Sequence, residues 1–484
     1  MDDDGMSATA ELASFASQTR FDDLPGAVVD ECKRLIVDTF GCAVAATPLP
    51  AGGVVSDHAV TALGGPAASS VVGSSAKVGP SAAAYANCYL GTLVDGDETL
   101  MNTAHVGVCA IFPALAVCEA NGRSGRDLLA AVAVGYDVGA RVSLSLDFFS
   151  ELPSGELEIS RGNGLGYNVF AAAAAAGRGL DLDAEQMAMA VGIAGWSSPI
   201  AALPRWWTIL RNRPMTKYGP YASMGMTGTS AAQLALAGLQ GDPTFLDGDY
   251  GYWRLVGAPG CNWGALVDGL GDRWWVLDVS YKLYCGARMF HATVDAFRDL
   301  LARESLGADQ VAEVDVATYF VGATDQLTAE YPATWLDGQF SIPFALALAA
   351  HGMALDPKWQ IGDRFSDPRL RDLAGRVTIR NDPELSSMVL DDLRSGGRTR
   401  RQPSRVTVTT TDGRRVSNYV DQPYGDPWSE RTRLTDDALV EKFRRFTDGC
   451  LSAADQSQLL ELVAGLEDLT DLSSITAILA RASR

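Results

Sequence analysis

The feature that most constrains this chain is a run of small residues. Positions 169–177 read Val-Phe, six alanines and Gly. Alanine is the strongest helix former, so the run predicts a helix, which Gly177 and Gly179 end. Such a helix has no polar face to show to water, and it persists only where other helices close around it. Residues 81–93, 110–120, 128–142 and 231–239 have the same apolar, small-residue character. Over 24–41 the apolar residues Val28, Val29, Cys32, Leu35, Ile36 and Phe40 fall at helical spacing. Asp183 with Gln186 three residues on reads as a capping box for a further helix. The first half is therefore expected to be one broad domain of mutually buried helices.

Around residue 311 the period changes. Val314, Val316 and Thr318 alternate with Glu313, Asp315 and Ala317, which argues for a strand. A short strand is expected at 377–379 and a hairpin over 406–420, turning at Asp412-Gly413. A helix over 341–353 lies between them. After 421 the helical pattern returns, with Leu439, Phe443 and Phe446 on one face. The fold class expected is mainly α with a smaller α+β domain. Residues 1–284 and 421–484 would form a discontinuous helical domain, and 285–420 the smaller α+β domain. The basic stretch 394–401 reads as a solvated loop.

With 484 residues, two domains are the natural division. The net charge of −20 repels nucleic acid and anionic membranes. It also opposes anionic substrates, so any site for a carboxylate must gather cations locally. Eight dispersed cysteines without a CxxC pair read as reduced, buried thiols, in keeping with the cytoplasm. The N-terminus has no secretion-signal pattern, and the apolar stretches are broken short of membrane-spanning length. Neither nucleic acid nor a membrane is expected as a partner.

The chain has only four histidines. His58 lies in a polar, alanine-rich stretch and His351 at a helix end, so structural roles suit both. His105 follows the acidic segment Asp95-Gly96-Asp97-Glu98-Thr99 and precedes an apolar helix. A carboxylate across a turn can orient its ring and hold its proton. Alternatively, Asp97 and Glu98 are solvated loop charges and His105 caps the following helix. From spacing alone these two readings stand level. A divalent metal on Asp95, Asp97 and Glu98 is disfavoured, because no second carboxylate cluster completes it. Lys217 and Lys282 sit in semi-apolar surroundings, where each can bind a carboxylate or snorkel to the surface. Arg161, Arg205, Arg211 and Arg288 are further local cations. Gly162-Asn163-Gly164-Leu165-Gly166 lacks the preceding apolar strand of a dinucleotide loop.

These segments, in this order, resemble the MmgE/PrpD family. Val94-Asp95-Gly96-Asp97-Glu98-Thr99 followed by His105 looks like its aspartate-rich loop. Met215-Thr216-Lys217 and Lys282-Leu283-Tyr284 with His291 resemble its two lysine segments. Gln339-Phe340-Ser341-Ile342-Pro343-Phe344 is similar to its lid helix, and Pro423-Tyr424-Gly425-Asp426-Pro427 to its C-terminal signature. The resemblance implies a homodimeric lyase for a small carboxylate, without metal or organic cofactor, and with its site between the domains. It implies that His105 moves a proton next to a carboxylate and that Asp95 orients it. Lys217 and Lys282 would stabilise the enolate-like charge. Tyr319 would be the lid tyrosine, and Thr99, Arg161, Tyr221, Arg288 and His291 would line the substrate.

Three departures bear on the substrate. The family's histidine before the alanine helix is absent, the place reading Ser160-Arg161-Gly162-Asn163, and Pro220 or Tyr221 holds the place of another. Residues 202–213 look like an insertion bearing Trp206, Trp207, Arg205 and Arg211. A substrate other than 2-methylcitrate is expected, with dehydration or decarboxylation as the reaction. An epimerase using the same proton transfer is the alternative, and a non-catalytic carboxylate binder the least favoured reading.

Overall fold

The alanine helix, Asn168–Gly179, is buried along its whole length. Gly125–Ser145 packs against it, as do Gly219–Leu236 and Gly107–Ala120. The computed structural model describes residues 7–100, 105–147, 149–151, 157–159, 165–198, 205, 208–362, 364–396 and 398–483. Alanine's short side chain is what lets the backbones approach so closely. A β-carbon placed on Gly228 would lie 2.5 Å from Ala172 Cβ and 2.6 Å from both Val169 O and Ala173 N. Backbone atoms cannot yield as a flexible side chain can, so Gly228→Val should lower stability by about 3 kcal/mol. Denaturant titration of the purified variant measures this, and a wild-type midpoint would contradict the packing.

The helices expected from periodicity form Gly26–Ala45, Pro80–Leu93, Gly107–Ala120, Gly125–Ser145 and Ala184–Trp196. The last is capped reciprocally by Asp183 and Gln186 as expected. The helix expected at 231–239 begins much earlier and spans Gly219–Leu236. Pro220 starts it, and the mixed Gly, Met and Thr residues that follow mask its period. Periodicity also overlooks Ala8–Gln18, His291–Glu304 and Pro383–Gly396. One expectation fails on length. Gly125–Ser145 is long and apolar enough to cross a membrane by composition, but its apolar stretch is wholly buried within the protein. It also carries an internal ion pair, Asp137 with Arg141.

In the second half a four-stranded sheet runs in the order Arg415–Val420, Ser404–Thr410, Val311–Thr318, Val377–Asn381. The first three strands are antiparallel, and Val377–Asn381 pairs in parallel with Val311–Thr318. Parallel pairing requires a crossover; Ile342–Ala350 and Pro368–Ala374 lie within it. His291–Glu304 covers one face of the sheet through Val294, Phe297, Leu300 and Leu301. The stretch 394–401 is less solvated than expected. Pro383–Gly396 extends into it, Arg398 is buried and donates to Ser143 O at 2.9 Å, and Arg401 pairs with Asp392. The chain then returns to the first half, where Asp436–Thr447 packs on Gly26–Ala45 through Leu439, Phe443 and Phe446. Six of the eight cysteines are buried, Cys261 and Cys450 are half-buried, and all are free.

Candidate functional site

The aspartate-rich loop begins where Pro80–Leu93 ends. Asp95 takes a left-handed conformation, φ 53°, which a short polar side chain tolerates better than most. Its N–H donates to Thr92 O at 3.0 Å, and its carbonyl accepts from Gly286 N at 2.9 Å. Beneath the loop, buried Lys442 donates to Gly96 O at 2.6 Å and pairs with buried Asp38. Gly96 leaves room for Phe446, whose ring carbon would lie 2.7 Å from a β-carbon there. The returning C-terminal helix thus sets the loop's height.

Both lysines converge on Asp95. Lys282, just past the short strand Val279–Ser280, places Nζ 2.6 Å from Asp95 Oδ1 and 3.2 Å from its carbonyl. Lys217, on the turn Met215–Tyr218, reaches Asp95 Oδ2 at 3.5 Å. Burial alone would raise the Asp95 carboxyl, but the two ammonium groups outweigh it and hold the group well below its ordinary value. Burial also depresses Lys217 to about 8, against the pull of Asp95 and with the push of Lys282. Lys217 is 10% exposed and lies 4.3 Å from the centre of the Phe340 ring. These are the local cations that the acidic net charge requires.

The resemblance expects Asp95 to orient His105, and the geometry corrects this. His105 Nδ1 lies 3.0 Å from Asp97 Oδ2, while Asp95 is engaged by the lysines. Burial would raise Asp97 too, but His105 more than reverses that and lowers it. Asp97 is not the solvated charge of the alternative reading, nor is His105 a helix cap. The N-terminus of Gly107–Ala120 is met by Glu98, whose Oε1 accepts from Gly107 N at 2.6 Å. The three acidic side chains thus turn to three different partners, and no cluster of metal-ligating groups occurs among the described residues. His105 keeps 20% of its side chain exposed, and Tyr221 meets it edge-on at 6.0 Å.

Glu98 is buried, and burial raises its carboxyl to about 8. A raised acid stabilises the fold fully below its unfolded value near 4.5, and that stability is lost as pH rises through about 8. Glu98→Gln keeps the acceptor for Gly107 N and should flatten the loss of thermal stability between pH 5 and 8. Parallel wild-type and variant melting curves in that range would refute it.

The remaining expected residues divide. Thr99 pairs with Ser280 across a two-stranded ladder, and its buried Oγ1 has no hydrogen-bond partner among the described residues. Arg288 is a strut. It pairs with Asp426 and donates to Tyr281 O at 3.2 Å and His291 Nδ1 at 3.3 Å, which commits it to the Pro423–Asp426 segment instead of a substrate. His291 is fully buried, and burial keeps it neutral by lowering it well below its ordinary value. Its Nε2 donates to Gly286 O at 3.4 Å, so it supports the turn that holds Asp95. Tyr319 is buried just past the strand Val311–Thr318, beside Arg288 and Asp426. Among the described residues no hydrogen bond or ring contact joins it to His105, Lys217 or Lys282. Arg161, the glycine-rich run 162–166 up to position 164, Trp206 and Trp207 lie outside the described residues. His58 is exposed beside Tyr85, and His351 follows Ile342–Ala350, donating to Arg369 O at 3.3 Å.

Sequence reasoning missed the anchor at the end of the insertion. Arg213 is buried in an ion pair with Asp337, and Asp337 also accepts from the backbone N–H of Asn212 and Arg213. Nothing in local spacing could reveal it, because the partners are far apart in the chain.

Residues 10–260 match the MmgE/PrpD N-terminal domain, and residues 284–468 match the MmgE/PrpD C-terminal domain. The cis-aconitate decarboxylase of Aspergillus terreus is 25% identical, over 97% of this chain and 95% of its own. The human cis-aconitate decarboxylase is 26% identical over 98% and 94%. The cis-aconitate decarboxylase-like protein oryM of Aspergillus oryzae is 24% identical over 98% and 97%. The two domain matches take in the aspartate-rich loop, His105, Lys217 and the sheet, and the chain belongs to the MmgE/PrpD family.

Proposed function

We propose that the protein is a lyase that decarboxylates a small unsaturated di- or tricarboxylate. One observation carries this reading: a single buried carboxylate, Asp95, holds two ammonium groups side by side next to a His105–Asp97 pair. Lys217 and Lys282 receive substrate carboxylates. The C–C bond to one carboxyl group breaks and CO2 leaves. The electron pair is taken up by the adjoining carboxylate as enolate-like charge, which the fixed cations stabilise. His105 then delivers a proton to carbon, and Asp97 holds its ring. Substrate and protein supply every atom and electron of this step. Decarboxylation is favoured over dehydration by the names of the three relatives above. The lid is assigned to 285–420, which contains the whole four-stranded sheet, and the base to 1–284 with 421–484. A cytoplasmic homodimer completes the reading, supported by the family and by the free thiols.

Incubation with a panel of di- and tricarboxylates in D2O, cis-aconitate and 2-methylcitrate included, tests it by mass spectrometry. The expected product has lost CO2 and gained one deuterium at carbon. Loss of water would establish a dehydratase, exchange at constant composition an epimerase, and either would overturn decarboxylation.

A further inference from the structure

The helix Pro80–Leu93 ends in the interior, and its last carbonyls need donors. Two glutamines from the lid supply them. Gln339 Nε2 donates to Leu93 O at 3.0 Å, and Gln360 Nε2 donates to Val94 O at 2.8 Å. Gln339 Nε2 also donates to Gln360 Oε1 at 3.0 Å. A backbone carbonyl can only accept, so both amides are fixed with nitrogen towards the helix end. Gln339 Oε1 is therefore turned the other way, and Tyr218 donates its hydroxyl proton to it at 2.5 Å. With that proton committed, the Tyr218 oxygen can only accept from Lys217 Nζ, 2.8 Å away. Gln339, Gln360 and Tyr218 are all buried, so water does not compete for the chain. It runs in one direction from the helix end through the lid to the lysine.

We infer that Gln339 and Tyr218 are positioning residues, through which the docked lid fixes one N–H of Lys217 and so sets the direction of its ammonium group relative to Asp95 and the substrate. This deepens the reading above and rests on Lys217 receiving a carboxylate. Lid docking and the competence of the lysine become one event, because Gln339 and Phe340 both come from the lid and both touch the site. Among the described residues, the charged groups acting on Lys217 include Asp95, Asp97 and Lys282, and these three belong to the base. The lid contributes an oriented dipole and a ring face to the lysine.

The test is a double-mutant cycle on Gln339→Met and Tyr218→Phe, read as the pH dependence of kcat/KM. Removing the acceptor disfavours the ammonium form. The alkaline limb near pH 8 should move down by at least half a unit in each single variant, with at least a tenfold loss of kcat/KM. The double variant should be no worse than Tyr218→Phe alone, because the chain is already cut there. Tyr218→Phe lies outside the lid and keeps the test open should Gln339→Met fail to fold. A wild-type pH limb in the variants, or strictly additive losses, overturns the relay and leaves Gln339 a structural cap. Lys217→Ala serves as control. If it turns over normally, the site reading itself fails and the relay with it; if it is inactive while Gln339→Met and Tyr218→Phe behave as wild type, only the relay fails.

Discussion

His105→Gln should lower kcat by about 10³-fold while leaving the fold intact. Glutamine can still donate an N–H to Asp97 Oδ2, so the buried carboxylate keeps its partner. It cannot gain or lose a proton near neutral pH, so the transfer to carbon is lost. His105→Ala should be equally slow but also less stable, by about 2 kcal/mol, because among the described residues Asp97 would keep only the Thr92 Oγ1 hydrogen bond at 3.3 Å. The pair of variants separates chemistry from support. Equal stability of the two would show that Asp97 has no need of the ring. Turnover by His105→Gln within tenfold of wild type would remove His105 from the chemistry.

Lys282→Met should have the largest combined effect. The lysine is buried and makes the shorter of the two bonds to Asp95, with a second bond to the Asp95 carbonyl. Its removal leaves a buried carboxylate with Lys217, at 3.5 Å, as its remaining hydrogen-bonded cation among the described residues, which should lower stability by about 3 kcal/mol. Activity should fall by about 10³-fold or more, since one of the two cations opposing the developing charge is gone. Asp95→Asn combined with Lys282→Met removes both partners, so stability should recover in part while activity does not. Calorimetry and steady-state rates on Lys282→Met and on the double variant measure both effects. A double variant less stable than Lys282→Met would show that the two residues do not act as a pair.

What could be read from the sequence was what depends on local pattern. Apolar, small-residue composition located the helices around the alanine run, and helical spacing located Gly26–Ala45. The strand Val311–Thr318 and the hairpin after Ser404 were legible from alternation. Gly219–Leu236 was legible only in part, because its first turns pack by shape, glycine against alanine, and not by hydrophobicity. His291–Glu304 and Pro383–Gly396 escaped notice because their apolar residues are spaced among charges.

By itself the sequence determined that cations must gather where an acidic chain meets an anionic substrate, and it named His105, Lys217 and Lys282. The tertiary structure decided how they are used. It gave Asp97 to His105 and Asp95 to the lysines, although both carboxylates lie in one short loop, because Asp95 turns left-handed and Asp97 does not. It withdrew Arg288 and His291 into supporting roles and set Glu98 against a helix N-terminus. It brought Gln339 and Gln360 to a helix end more than two hundred residues away in the chain. Those assignments depend on which donors and acceptors are left over once distant elements are packed together, and spacing along a chain does not hold that information.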